Sequence, residues 1–274
     1  MTKKRSVVLC IIIIASMLLF SCATPEENNE VTEENEGTES IDLLSFIQES
    51  GVIKVGTEGT YPPFTFHDEK DQLTGFDVEI AREVAARLNV EAEFMETQWD
   101  GMMAGLDAKR FDMIVNQVGI TPDRQEKYDF SIPYITSSAV IVTGADNENV
   151  NSVEDIKGLT SAQSLTSNYE SIALQYGAEI EPVEGFAQAI SLIQSKRVDI
   201  TINDRLTVLD YVKQKGEENI KVLPTPEEKS SNGILFRKGN ETLVEAINQA
   251  IEDMMEDGTY LEISMEWFGE DVSK

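Results

Sequence analysis

The sequence predicts an α/β protein made of two similar lobes with a ligand cleft between them. Short apolar runs alternate with amphipathic stretches along most of the 274 residues, as in the strand–helix–strand units of parallel sheets. Two successive sets of such units are present. In each set a helix ending in Lys-Arg precedes a strand that stops at polar residues, at Phe111–Asn116 and at Val198–Asn203. Polar groups at strand ends in both lobes predict a cleft there.

The first 21 residues are predicted to be a signal peptide. Lys3, Lys4 and Arg5 precede an apolar run from Val7 to Phe20, which is shorter than the roughly 20 residues of a membrane-spanning helix. Leu19-Phe20-Ser21-Cys22 is similar to the lipobox of bacterial lipoproteins, so Cys22 is expected to be lipidated and to become the new N-terminus. An N-terminal anchor that spans the membrane is the alternative.

Residues 22–40 are predicted to be an acidic, disordered tether, because they are rich in glutamate and poor in residues that could form a core. The other cysteine, Cys10, lies in the predicted signal peptide, so no disulfide is expected in the exported domain. The formal charge of −28 argues against nucleic acid and anionic lipid surfaces as partners. Calcium binding is the alternative, but no Asp-x-Asp-x-Asp-Gly loop is present, and no metal is expected.

Order is expected from Ile41 onward. The first set of elements is predicted from apolar periodicity and from breakers such as Gly51. It comprises a helix at Leu43–Glu49, a strand at Val52–Thr57, a loop at Glu58–Phe66, a helix at Phe76–Leu88, a strand at Val90–Met95, a helix at Trp99–Lys109 and a strand at Phe111–Val115.

The second set begins with a strand at Ala139–Val142 and a short helix from Ser152 to Gly158. It is predicted to continue with helices at Ser167–Tyr176 and Ala187–Lys196, a strand at Val198–Ile202, a helix at Arg205–Lys215 and a strand at Ile220–Leu223. A polar return crossing, a strand at Gly233–Phe236 and helices at Glu241–Glu256 and Thr259–Trp267 complete the chain.

The stretch Asn116–Arg124 is the strongest candidate for a binding site. It follows a buried strand and brings amide side chains and free backbone N–H groups to the carboxyl edge of the predicted sheet. Arg124 follows a turn, so its guanidinium could fold back over the same position, where it would suit a carboxylate or a phosphate. The alternative is a strand, a turn and a surface arginine.

Six motifs occur in order between Ile41 and Lys274. They are Val55-Gly56-Thr57-Glu58 with Tyr61-Pro62-Pro63-Phe64, Leu73 to Ala81, Trp99-Asp100-Gly101-Met102, Gly119-Ile120-Thr121 with Arg124, Tyr128 to Tyr134, and Asp257-Gly258-Thr259 with Trp267-Phe268-Gly269. In these motifs the chain resembles the solute-binding proteins, family 3, that serve ABC transporters for polar amino acids. Trp99–Met102, Asn116–Val118 and Asn168–Glu170 are most similar to cystine-binding members.

The resemblance implies two α/β lobes of the type II periplasmic-binding-protein fold, joined by two strand crossovers near Thr136–Val140 and Thr225–Gly233 that act as a hinge. Residues 41–136 and 233–274 would form lobe 1, and residues 137–232 lobe 2. The lobes would close on an amino acid and present it to an ABC transporter permease. A monomer without cofactor, held by Cys22 at the outer face of the cytoplasmic membrane, is expected.

The resemblance also assigns roles in holding the ligand's carboxylate. Arg124 would grip it through two hydrogen bonds, and the backbone N–H of Gly119 could approach it because glycine has no Cβ. Thr121 belongs to the same motif. The Ser167 hydroxyl and the Asn168 N–H, at a helix start, would add donors from lobe 2.

Asp204 would take the ligand's ammonium, and its alternative role is to cap the helix that starts at Arg205. Glu58 could reach the ammonium or a distal group, or be exposed to solvent.

Rigid flat walls are expected from Tyr61 and Trp99, although Trp99 could instead be a core residue. Phe64 could be a wall or core residue. Asn116 and Gln117 could bond a polar ligand side chain or satisfy loop backbone.

One segment departs from the family. Ala162, Ser164 and Thr166 occupy positions where relatives usually have glycine, and Ser161 and Gln163 are polar where strand apolars are expected. This departure affects the expected lobe 2 contact to the ligand's carboxylate, because the segment leads into Ser167 and Asn168.

An enzyme is the other function class, because fold alone does not decide function. Cyclohexadienyl dehydratases are the nearest catalytic relatives of the family. His67 is the only histidine and has no nucleophile nearby in sequence, which leaves carboxylates such as Glu58 and Asp204 for acid–base chemistry. A sensory ectodomain is a third class. The solute-binding lipoprotein is the favoured interpretation, with cystine as first ligand and another polar amino acid as second.

Overall fold

The computed structural model describes residues 42–216, 219–226 and 229–274, where the chain forms two five-stranded sheets covered by helices. This confirms the predicted α/β class. The predicted signal peptide, the lipidation site Cys22 and the acidic tether lie outside the described residues. These described residues cluster as one unit by their contacts.

The first sheet is parallel on one side and antiparallel on the other. Its strand order is Glu91–Glu96, Val52–Thr57, Met113–Ile114, Leu235–Arg237 and Tyr128–Phe130. The first three strands pair in parallel, as predicted, whereas Leu235–Arg237 runs antiparallel to both of its neighbours. The Phe111 ring lies so close to Gly56 and Gly105 that a Cβ at either glycine would be 2.6 or 2.7 Å from it. Both positions therefore require glycine.

The helices of this lobe surround a core that contains Phe76, Phe236 and Ile251, all fully buried. The stretch predicted as a loop at Glu58–Phe66 instead forms part of a small antiparallel sheet, because Thr60 and Tyr61 pair with Phe66 and Thr65. The strands of that sheet are Thr60–Tyr61, Thr65–His67 and Leu73–Thr74. The helices are Leu43–Ser50, Phe76–Arg87, Trp99–Asp107, Pro122–Lys127, Glu241–Asp257 and Thr259–Phe268.

The second sheet repeats this plan with other strands. Its order is Glu179–Pro182, Thr160–Gln163, Ile200–Asp204, Ala139–Gly144 and Ile220–Pro224. The first three strands are parallel and the last two antiparallel to their neighbours. A 3-10 turn at Val153–Ile156 and helices at Asn168–Gln175, Phe186–Gln194 and Arg205–Lys215 complete this lobe.

Two short strands connect the sheets. Ile135–Ser137 and Ser230–Asn232 pair antiparallel where the chain crosses from one sheet to the other, within or beside the two predicted crossovers. The C-terminal segment lies against the first of them, because Thr136 N donates to Val272 O over 2.7 Å. The sheets agree with two lobes, while the predicted lobe boundaries stay a prediction.

Candidate functional site

A cleft of about 460 Å³, counted up to its open mouth, lies where the polar strand ends of the two sheets face each other. Lobe 1 contributes Glu58, Tyr61, Trp99, Asn116 and Gln117, and lobe 2 contributes Gln163, Ser164, Ser167, Asn168, Tyr169, Gly185, Phe186 and Asn203.

Hydrogen bonds to Glu58 and Asp77 fix the position of the Asn116–Gln117 turn. Asn116 Oδ1 accepts from Glu58 N (2.8 Å), and Asn116 Nδ2 donates to Glu58 Oε2 (2.6 Å). Gln117 adopts the left-handed conformation (φ 48°), and its N–H donates to the fully buried carboxylate of Asp77 over 2.5 Å. Both side chains line the cleft. Asn116 also accepts a hydrogen bond from a loop backbone group, the N–H of Glu58.

Glu58, a carboxylic acid in the cleft wall, binds its proton more tightly than an ordinary glutamate does. Burial raises its pKa to about 7, which its hydrogen bond from Asn116 opposes and the nearby Asp100 charge reinforces. The carboxyl group is half-buried beside the cleft rather than exposed. At neutral pH it can be neutral or charged according to what is bound beside it.

Arg124 lies behind the cleft wall and links the two lobes. Its Nη1 donates to Gly119 O (2.9 Å) and its Nη2 to Thr166 O across the lobes (3.2 Å). The guanidinium lies 5.2 Å from the Trp99 ring centroid, where it stacks on the aromatic face. Burial lowers its pKa, and within the described residues it forms no ion pair with a carboxylate. A partly buried cation of this kind is suited to an anionic ligand group.

Gly119 lies next to the side chains of Arg124 and Asn168. A Cβ there would lie 3.4 Å from Asn168 Oδ1 and 3.5 Å from Arg124 Nη1. Thr121 does not line the cleft, and its hydroxyl caps the helix that carries the arginine by accepting from Arg124 N (3.3 Å). Thr121 therefore positions Arg124.

The lobe 2 helix at Asn168–Gln175 starts at the cleft. Ser167 Oγ accepts from Glu170 N (3.0 Å) as its N-cap, and the Glu170 carboxylate accepts from Thr166 N (2.6 Å). Thr166 has φ 64°, a conformation that favours glycine and is strained for a β-branched residue. The departure from glycine noted in the sequence thus falls on a backbone position where glycine would be relaxed.

Asp204 is fully buried beneath the cleft and does not line it. Its carboxylate accepts from Leu206 N (2.7 Å), Ser137 Oγ (2.9 Å) and Tyr169 Oη (3.3 Å). The first of these bonds confirms the alternative role as a helix cap. Burial raises its pKa.

Phe64 does not line the cleft either. Its fully buried ring packs between Tyr61 and Phe268, at centroid distances of 5.5 and 5.8 Å. The alternative that Phe64 is a core residue describes this position. Trp99 combines both roles, because it lines the cleft and also packs in a core cluster.

Sequence reasoning missed most of the lobe 2 wall. Tyr169 and Phe186 lie in the first turn of their helices, and Asn203 at a strand end. Asn203 was visible as a polar strand end, and its Oδ1 accepts from Tyr61 Oη across the lobes (2.8 Å). Tyr61 Oη also contacts Gln117 Oε1 (3.1 Å). Tyr61 and Arg124 thus each bond a partner in the other lobe.

Within the described ranges, no cluster of three or more histidine, cysteine or acidic side chains could hold a metal ion. In the same ranges, every helix is too short or too polar to cross a bilayer.

Residues 53–270 match the bacterial extracellular solute-binding proteins, family 3. The chain belongs to this family. Its relatives include the L-cystine-binding protein TcyA of Bacillus subtilis (strain 168), which is 49% identical over 272 residues that cover 99% of this chain and 100% of the relative. The family's members are solute-binding proteins found outside the cytoplasm.

Two solved structures are similar to this one to different degrees. The L-cystine solute receptor of Neisseria gonorrhoeae, in an unliganded open conformation, is 47% identical, covers 84% of this chain and 98% of its own, and superposes with a TM-score of 0.57. A Streptococcus pneumoniae substrate-binding protein with bound histidine is 28% identical, covers 86% and 99%, and reaches 0.79. The less similar sequence superposes better.

Proposed function

We propose that this protein is the extracytoplasmic receptor of an ABC importer and that its ligand is cystine. The observation that carries the proposal is the partly buried guanidinium of Arg124, which lies at the junction of the lobes and forms no ion pair with any carboxylate of the described residues. It would bind the α-carboxylate, together with donors from Gly119 and the start of the Asn168 helix.

The choice of cystine is supported by the 49% identity with TcyA over nearly the whole chain. The cleft's other features agree with an amino acid that bears more than one charged group. Glu58 offers a carboxyl group in the wall, and Asp204 lies beneath it. The proposed contact of Asp204 with the ligand's ammonium would require access to a carboxylate that is fully buried and accepts a hydrogen bond from Tyr169 Oη.

The proposal extends to the membrane. Cys22 would carry a lipid anchor after removal of residues 1–21, residues 22–40 would act as a tether, and the protein would work as a monomer beside its permease. Palmitate labelling of the Cys22→Ala variant tests this part: loss of label and release into the medium are expected, and a labelled variant would contradict it.

A thermal-shift panel of the purified protein with cystine, the common amino acids and prephenate tests the ligand. At one hundred times its Kd a ligand stabilises by about 2.7 kcal/mol, which is several degrees for a domain of this size. Cystine is expected to give the largest shift. No shift with any amino acid, or product formed from prephenate, would overturn the proposal.

A further inference from the structure

The cleft has an aromatic middle. Four aromatic side chains line it, two from each lobe: Tyr61, Trp99, Tyr169 and Phe186. For a site that binds a polar amino acid, this is a large share of the wall. It suits a ligand that is charged at its ends and soft and polarizable at its centre.

The four rings are rigid walls. Trp99, Tyr169 and Phe186 expose only 8%, 9% and 8% of their surface, and each belongs to a different buried cluster. Tyr61 packs against the lobe 1 core and also against the lobe 2 cluster that contains Phe186. The rings are therefore preorganised, so little conformational freedom is lost when a ligand is enclosed.

Of the two aromatic residues that lobe 2 contributes, Phe186 is the one without a hydroxyl group. It begins the helix Phe186–Gln194 directly after Gly185, which also lines the cleft. Its ring is held edge-on by Tyr211, with centroids 5.9 Å apart and planes at 89°. It can offer the ligand only its π system and apolar surface.

We infer that this aromatic wall recognises the disulfide of the ligand and that Phe186 is a specificity-determining residue for sulfur. The inference rests on the proposed function. Sulfur next to an aromatic ring is stabilised beyond simple burial. A wall that recognised apolar area alone would bind a methylene chain at least as well as a disulfide, because burial of each CH₂ is itself favourable.

The test compares cystine with 2,7-diaminosuberate, in which two methylenes replace the two sulfurs, by calorimetry on the purified protein. Wild type is expected to prefer cystine by several-fold. Phe186→Leu keeps apolar contact without the ring, and we expect it to reduce that preference by roughly 2- to 10-fold. Phe46→Leu makes the same substitution at a side chain that is 56% exposed on an outer helix of lobe 1, and should keep the wild-type preference.

Equal binding of the two ligands by wild type, or an unchanged preference in Phe186→Leu, would overturn the inference while leaving cystine binding intact. Absence of cystine binding by wild type would instead reject the proposed function. If Phe186→Leu does not fold, Phe186→Met removes the ring while retaining a long apolar side chain, and the same reduction is expected.

Discussion

The guanidinium of Arg124 is partly removed from water, and it contacts carbonyl oxygens instead of a carboxylate. The cost of removing this charge from water is partly offset by the Trp99 ring and by those two carbonyls. An anionic ligand group would supply the missing charge partner.

Arg124→Ala is expected to weaken cystine binding by about 2–5 kcal/mol, the usual cost of removing one partner of a buried charge pair. The ligand-free protein should unfold at nearly the wild-type denaturant concentration, since a desolvated cation is removed along with its hydrogen bonds. Calorimetry and urea unfolding measure the two effects. Arg124→Lys is the matched control, with intermediate affinity expected. Wild-type affinity in the alanine variant would contradict the site.

Asp204→Asn should weaken binding by roughly 1–3 kcal/mol, because the ammonium would lose its charged partner. Asparagine is as good an N-cap as aspartate, so the Arg205 helix should keep its stability. The two measurements separate the roles: affinity equal to that of wild type would leave Asp204 as a helix cap alone.

Glu58 makes the ligand-free protein sensitive to pH. Its pKa is raised from 4.5 to about 7 in the folded state, so the folded protein holds a proton that the unfolded chain releases. The stability linked to this group is fully present below pH 4.5 and is lost as pH rises through 7. Glu58→Gln should therefore be more stable than wild type at pH 8, by up to about 3 kcal/mol, and nearly equal at pH 4.5. Urea unfolding without ligand measures this, and a difference that does not change with pH would contradict it.

At the scale of single elements, the turn before the helix Asn168–Gln175 holds a β-branched residue in the left-handed conformation. Thr166 is held at φ 64° by the bond from its N–H to Glu170 and by the bond that its carbonyl accepts from Arg124. Both bonds depend on this backbone conformation, so the strain is tied to the contact between the lobes.

Thr166→Gly is expected to raise the free energy of unfolding by about 0.5–1 kcal/mol. Relief of a left-handed β-branched residue, worth about 1–2 kcal/mol, exceeds the entropic cost of glycine, about 0.5–1 kcal/mol. Leu165→Gly is the neighbouring control and should lower stability, since it adds flexibility without relieving strain. A Thr166→Gly protein less stable than wild type would show that the turn is not strained.

Most elements could be predicted because their signals are local. The strand Val52–Thr57 and the helix Arg205–Lys215 have the predicted bounds, since periodicity and flanking breakers define them. The strand predicted at Phe111–Val115 is shorter, at Met113–Ile114, because the Asp112 side chain bonds Lys54 N (2.9 Å) beside it. Such pairing between distant segments leaves no periodic signal.

The site residues likewise divide into those with a local sequence signal and those placed by contacts between distant segments. Glu58, Tyr61 and Trp99 could be predicted because each stands in a recognisable motif and lines the cleft. Phe186 could not, since whether the first residue of an amphipathic helix faces the core or a cleft depends on the other lobe. Phe64, in a motif beside Tyr61, faces the core because its ring packs against Phe268 from the distant C-terminal helix.

At the scale of the whole molecule, charge dominates. The chain has 50 acidic and 22 basic residues, a net charge of −28, and several of its ion pairs are substantially exposed to solvent. Exposed pairs contribute little to stability, whereas a large net charge opposes the compact state through self-repulsion.

Salt should therefore stabilise this protein. Raising NaCl from about 20 to 300 mM is expected to increase the melting temperature of the ligand-free protein by about 2–5 °C, since the added ions screen the repulsion. Potassium chloride at equal ionic strength should have the same effect. A melting temperature that falls with salt would indicate that the exposed ion pairs outweigh the repulsion.

The bonds from Tyr61 to Asn203 and from Arg124 to Thr166 also govern timing. They hold the two lobes together across the cleft, so we expect a ligand to enter only after they have broken and the cleft has widened. The observed association rate then scales with the open fraction, and the closed fraction of empty receptors weakens the apparent affinity in proportion. Once a ligand is inside, the same two bonds must break before it can leave. One opening step thereby sets both the association rate and the residence time of the ligand. A permease could accelerate release by holding the lobes apart.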